Sequence, residues 1–112
     1  WMQGERDART PDAGNEYFEN LRELIARLRE DLGDPDIPFL LGHVNPPADR
    51  YPALDTVRAA QQRAAREIAG VHLIDTDGVS KRGDGVHYDT NGVLELGRRF
   101  ADAWLEARGR GG

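Results

Sequence analysis

The chain has 112 residues, with 15 Lys and Arg against 20 Asp and Glu for a net charge of -5, and it contains no cysteine. That length holds one small core, no apolar run approaches the roughly 20 residues a bilayer crossing needs, and disulfides, thiol nucleophiles and thiolate metal sites are excluded. Nucleic acid is a poor partner for such a chain, because the cations are arginines interleaved with acids, Lys81 is the only lysine, and no basic face is left to neutralise phosphates.

In chain order, Trp1-Met2 reads as the end of a strand, and Trp1-Met2-Gln3-Gly4 lacks the basic start and apolar stretch of a signal peptide. A first helix is expected from about Asn15, as N-cap, to Leu32. Tyr17, Leu21, Leu24, Ile25, Leu28 and Leu32 form its apolar stripe, and Gly33 sits where a terminating glycine belongs. The run Ile37-Pro38-Phe39-Leu40-Leu41 is expected to be a strand, followed by a Pro/Asp loop from Val44 to Pro52. A second helix, about Ala53 to Ala69, carries Leu54, Val57, Gln61, Ala64, Ala65 and Ile68 on one stripe, with Gln61 as a polar intruder, and Gly70 ends it.

Val71-His72-Leu73-Ile74 is the next strand, and a Gly/Asp loop from Asp75 to Asp89 leads into a third helix after Thr90. That helix carries Val93, Leu96, Gly97, Phe100, Trp104 and Leu105 on one side and fades into a frayed Arg108-Gly109-Arg110-Gly111-Gly112. Unbroken apolar strands alternating with helices imply an α/β fold with a parallel sheet covered on both faces. Two or three strands are few for such a sheet, so further strands are expected upstream, beside Trp1-Met2.

Ligands of open parallel sheets bind beyond the carboxyl ends of the strands. Three segments lie there: Gln3-Gly4-Glu5, Gly42-His43-Val44-Asn45, and Asp75 to His87. The sharpest is Asp84-Gly85-Val86-His87. An acid three residues before a histidine in a glycine-containing turn can accept the Nδ1 hydrogen and leave Nε2 free as a base; an exposed turn with a solvated His87 is the plainer reading of the same four residues.

After a strand, the Gln3 amide and Gly4 N–H suit an oxyanion site. Glu5 beside them would then be buried and need a cation or several hydrogen bonds; otherwise Gly4 shapes a turn and Glu5 starts a helix. His43 is a possible substrate contact and His72 a structural residue. Ser80 lacks the strand-to-helix elbow of a nucleophile. Asp75-Thr76-Asp77-Gly78 opens like a calcium loop, but an EF-hand's closing Glu would fall on Val86 and its central glycine on Ser80, so no metal is expected. Gln61 and Arg58, one helical turn apart, both need partners, and one of them is expected to hold the Gln3-Gly4-Glu5 turn.

Several blocks together resemble the sialate O-acetylesterase-like carbohydrate esterases of the SGNH hydrolase superfamily. Trp1-Met2-Gln3-Gly4-Glu5-Arg6-Asp7-Ala8 resembles that family's W-x-Q-G-E-x-D-A block, and Asp84-Gly85-Val86-His87-Tyr88 its closing D-x-x-H-[FY] block. Ile37 to Gly42 is similar to its central strand, Val57-Arg58-Ala59-Ala60-Gln61 to its VR-x-AQ helix, and Asn91-Gly92 to Ala101 to its final helix. Met2 and Arg6 depart from the family's usual residues.

The resemblance implies a three-layer, flavodoxin-like parallel fold of which residues 1–108 are the C-terminal part, with 109–112 a flexible tail. It implies Ser-His-Asp hydrolysis of an acetylated carbohydrate or other small ester, with no cofactor. His87 would be the base, Asp84 its orienting acid, Gln3 and Gly4 the oxyanion side, and Glu5 a supporting acid. The family's serine, in a G-x-S block, has no counterpart here. It is expected upstream or on a partner chain, which would leave this chain inactive alone. The alternatives are a noncatalytic carbohydrate-binding or assembly domain of the same fold, and an SGNH lipase or acyl esterase.

Overall fold

A computed structural model describes residues 1–111. Helix α1 spans Pro11–Asp31, strand β1 Phe39–Gly42, helix α2 Leu54–Glu67, strand β2 Val71–Ile74 and helix α3 Thr90–Gly111, with single 3-10 turns at Asp7–Arg9 and Ala48–Arg50. The expected order of elements holds, and β1 and β2 pair in parallel, Phe39 opposite Val71 and Gly42 opposite Ile74. The sheet gains a third member from Trp1. Its terminal ammonium donates to the Leu40 carbonyl at 2.7 Å, and its own carbonyl accepts from Gly42 N at 2.8 Å, so β1 lies between Trp1 and β2.

Local chemistry explains the boundaries. Helix α1 begins four residues before the expected Asn15 because Thr10 is the better cap. Its hydroxyl accepts from Ala13 N, and Pro11 occupies the first turn, where a missing N–H costs nothing. At the other end Gly33 adopts φ 65 and Gly70, after α2, φ 74, the left-handed conformation that stops a helix cheaply on glycine. The first strand starts at Phe39 rather than Ile37, because the Ile37 carbonyl is taken by the Arg29 guanidinium and Pro38 has no N–H to offer.

The core joins Tyr17, Leu21 and Ile25 of α1 to Val57 and Ala64 of α2, Leu41 of β1, Val71 of β2 and Val44 just beyond β1, each less than 6% exposed. Leu41 points to the side of α1 and α2. A Cβ on the next residue, Gly42, would meet Met2 and Phe100, so α3 lies against the opposite face. The expected stripe of α3 is only partly covered: Leu96 is buried and Phe100 half-buried, whereas Val93 and Leu105 face solvent. Gly112, the last residue of the expected tail, lies outside the described residues.

Candidate active site

The loop between β2 and α3 folds back as a short hairpin. Lys81 and Tyr88 form an antiparallel bridge, Arg82 N donates to the His87 carbonyl at 2.8 Å, and Gly85 N donates to the Arg82 carbonyl at 3.0 Å, with Gly85 at φ 72. Asp89 closes its base, accepting from the Ser80 hydroxyl at 2.6 Å and from Gly92 N at 2.7 Å. A Cβ on Gly92 would stand 2.1 Å from the Ser80 carbonyl oxygen, so only glycine lets α3 start this close to the hairpin. The Ser80 hydroxyl therefore serves the hairpin base.

At the tip, Asp84 does two jobs. Oδ1 accepts from the backbone N–H groups of Val86 and His87 at 2.8 and 2.9 Å, and Oδ2 lies 2.6 Å from His87 Nδ1. The His87 contact and the two backbone donors hold the Asp84 carboxyl well below the usual carboxylate range, so it is anionic at neutral pH. An ionised acceptor there favours the tautomer protonated on Nδ1, which leaves the Nε2 lone pair free. The imidazole is 74% exposed, and Arg50, from the loop after β1, donates to the Asp84 carbonyl across 34 residues of sequence.

His87 opens on a cleft of about 490 Å³ that is also lined by Met2, Glu5, Arg6, Arg9, Tyr51 and Tyr88. Glu5, at the end of the Q-G-E turn, and the hairpin thus share one cavity, in keeping with the strand-end rule. Glu5 differs from expectation. It is only half-buried and faces the open cleft, where water can solvate it, and its charge opposes the lowering that burial imposes on Lys81. Arg9 stacks over Tyr51 with its guanidinium carbon 5.5 Å from the ring centre.

Gln3 turns the other way. Its Nε2 donates to Asp7 at 2.7 Å, and it lines a second cleft of about 330 Å³ with Trp1, Asp7 and Tyr17. Gly4 has φ 146, and a Cβ there would press on Tyr17 and Val57 at 3.2 Å, so the turn needs glycine both for its conformation and for space.

Of the two residues expected to hold this turn, Gln61 does and Arg58 does not. Gln61 is fully buried, and its Nε2 reaches Tyr17 Oη at 3.1 Å, the Gly42 carbonyl at 3.2 Å and the Gln3 carbonyl at 3.4 Å. Arg58 instead donates to the Val44 carbonyl at 2.7 Å.

His43, proposed as a substrate contact, is 7% exposed, and its Nε2 has no hydrogen-bond partner among the described residues. Burial first, then the nearby Arg58 charge, lowers its pKa. The acids of the Asp75–Asp77 segment are used locally, Asp75 Oδ1 accepting from Asp77 N and Asp77 from Asn45 Nδ2.

A parallel α/β sheet thus carries, beyond the ends of its strands, an ionised Asp in contact with a His. The chain belongs to the carbohydrate esterase family described as sialic acid-specific acetylesterase, whose profile matches residues 1–106. It is 30% identical over 105 residues to a probable carbohydrate esterase of Arabidopsis thaliana, covering 94% of this chain and 38% of that protein. The X-ray structure of an Arabidopsis thaliana protein superposes with a TM-score of 0.84 at 29% identity, over 95% of this chain and 42% of that one. The chain thus spans about two fifths of the length of these relatives.

Proposed function

We propose that these residues supply the base, its orienting acid and the Q-G-E turn of a carbohydrate O-acetyl esterase of Ser-His-Asp type. Trp1, β1 and β2 are one flank of a larger SGNH-type sheet in this reading, and the serine enters from outside residues 1–112. Its hydroxyl attacks the acetyl carbonyl carbon while His87 Nε2 takes the proton. The tetrahedral oxyanion collapses, expelling the sugar oxygen, which leaves with the proton from His87. Water, activated by the same nitrogen, then cleaves the acetyl-serine to acetate.

Asp84 stabilises the imidazolium formed in each half-reaction. The Gln3 amide, engaged with Asp7 beside the second cleft, is given no part in this step. The observation that carries the reading is the 2.6 Å Asp84–His87 contact opening on the cleft shared with Glu5. In the intact protein, His87→Ala is expected to lower acetyl-ester turnover on the order of 10³-fold or more. A variant that keeps a tenth of the wild-type rate removes His87 from the base role.

A further inference from the structure

The Trp1–β1 ladder stops abruptly, and a side chain takes over. A regular parallel ladder would continue from Trp1 with Gln3 N–H donating to the Gly42 carbonyl and the Gln3 carbonyl accepting from Val44 N–H. Neither bond is present. In their place the Gln61 carboxamide donates Nε2–H to the Gly42 carbonyl at 3.2 Å and accepts Val44 N–H on Oε1 at 3.0 Å. Because Val44 N–H can only donate, the orientation of the amide is fixed by its network.

The displaced Gln3 carbonyl is caught further out, accepting from Tyr17 Oη at 2.7 Å, and Tyr17 Oη in turn accepts from Gln61 Nε2 at 3.1 Å. Burial pushes the Tyr17 hydroxyl up to about 12, so it remains a donor across the working pH range. A side-chain amide has the donor and acceptor of a peptide group without the chain that continues from it.

We infer that Gln61 is the positioning residue of the proposed esterase site: it caps the Trp1–β1 ladder as a substitute peptide, so that Gln3-Gly4-Glu5 leaves the sheet and is held through Tyr17 with Glu5 in the cleft of His87. The inference rests on the esterase reading for its catalytic consequence and on the hydrogen bonds alone for its structural one. Arg58 takes the Val44 carbonyl without reaching the turn, and the adjoining Asn45 carbonyl accepts from Lys81 at the hairpin. Helix α2 thereby sets the spacing between the two catalytic segments without touching the cleft.

The test uses the intact protein with Gln61→Met, which keeps the volume and removes the amide. Hydrogen exchange at Val44, whose N–H loses its acceptor, and at Ala8, whose N–H is held by the Gly4 and Glu5 carbonyls, is expected to quicken about fivefold, the ratio a lost hydrogen bond of average strength gives, while Asp84 to His87 exchange as before. Acetyl-ester kcat is expected to fall on the order of 10²-fold from misplacement of the turn, with KM nearly unchanged. Unchanged exchange at Val44 and Ala8, or full kcat below the melting temperature, overturns the positioning role. If Gln61→Met does not fold, Tyr17→Phe decides by the exchange at Ala8, the amide bonded to the Gly4 and Glu5 carbonyls. An inactive wild type, or an active His87→Ala, would sink the esterase reading while leaving the exchange result to decide the role of Gln61.

Discussion

Asp84 is both a structural and a chemical residue, and two substitutions separate the roles. Asp84→Asn keeps a carbonyl oxygen for the Val86 and His87 N–H groups but abolishes the charge facing Nδ1. Turnover is expected to fall on the order of 10³-fold or more with the hairpin intact. Asp84→Ala should lose the same activity and, in addition, the slow exchange of the Val86 and His87 amides. Equal exchange in both variants would show that Oδ1 does not hold the turn.

His43 is the acid-sensitive residue of the interior. Its folded pKa lies below the unfolded value of about 6.5, because burial and Arg58 disfavour the cation while Asp75 and Asp77 oppose them more weakly. The unfolded chain therefore binds the extra proton. The stability contributed by neutral His43 is full above about pH 6.5 and is lost as pH falls through the folded value. Melting temperature is expected to decline between pH 7 and 5, with a shallower decline in His43→Gln. A variant as pH-dependent as the wild type would assign that slope to other groups.

Elements were legible where their signals are local. The two glycine stops and the whole of β2 stand where the pattern put them, because a φ near +70 and an apolar run bounded by a helix end are properties of a few consecutive residues. Asn15 misled because a capping residue type also occurs inside helices; the decisive pair, Thr10-Pro11, combines a cap with a residue that suits only the first turn. Thr10→Ala is accordingly expected to cost about 1 kcal/mol in thermal or denaturant unfolding, whereas Asn15→Ala, exposed in mid-helix, should be neutral or mildly stabilising.

The site divides by sequence distance. The Asp84–His87 pair and the Gln61 intruder were visible because spacing or periodicity marks them. Arg50 on the Asp84 carbonyl, and Tyr51 and Arg9 in the cleft wall, were missed because they meet their partners across loops that carry no periodic signal. The amide of Gln61 showed itself as a polar group needing partners, but only coordinates show that it replaces a peptide.

On the scale of the molecule, large apolar side chains are left uncovered on the sheet edge, on α1 and on α3. Trp1 is 47% exposed on the outer edge of the sheet, and Val93, Leu94 and Leu105 are 58 to 68% exposed on α3, because three short sheet members cannot cover the stripes of three helices. An open sheet edge and exposed apolar side chains recruit other chains. These 112 residues alone are therefore expected to self-associate, the sedimentation coefficient rising with concentration, and Leu94→Glu with Leu105→Glu should suppress it; a monomer at every concentration would show the surface to be inert. By contrast, the proposed acid and base lie within one four-residue turn that carries its own hydrogen bonds. No division of the polypeptide upstream of the hairpin can part them. In a two-fragment version of the esterase, rejoining a serine-bearing piece to this one would have to restore a single separation, from hydroxyl to imidazole, making acetyl-ester cleavage a direct reporter of fragment reassembly.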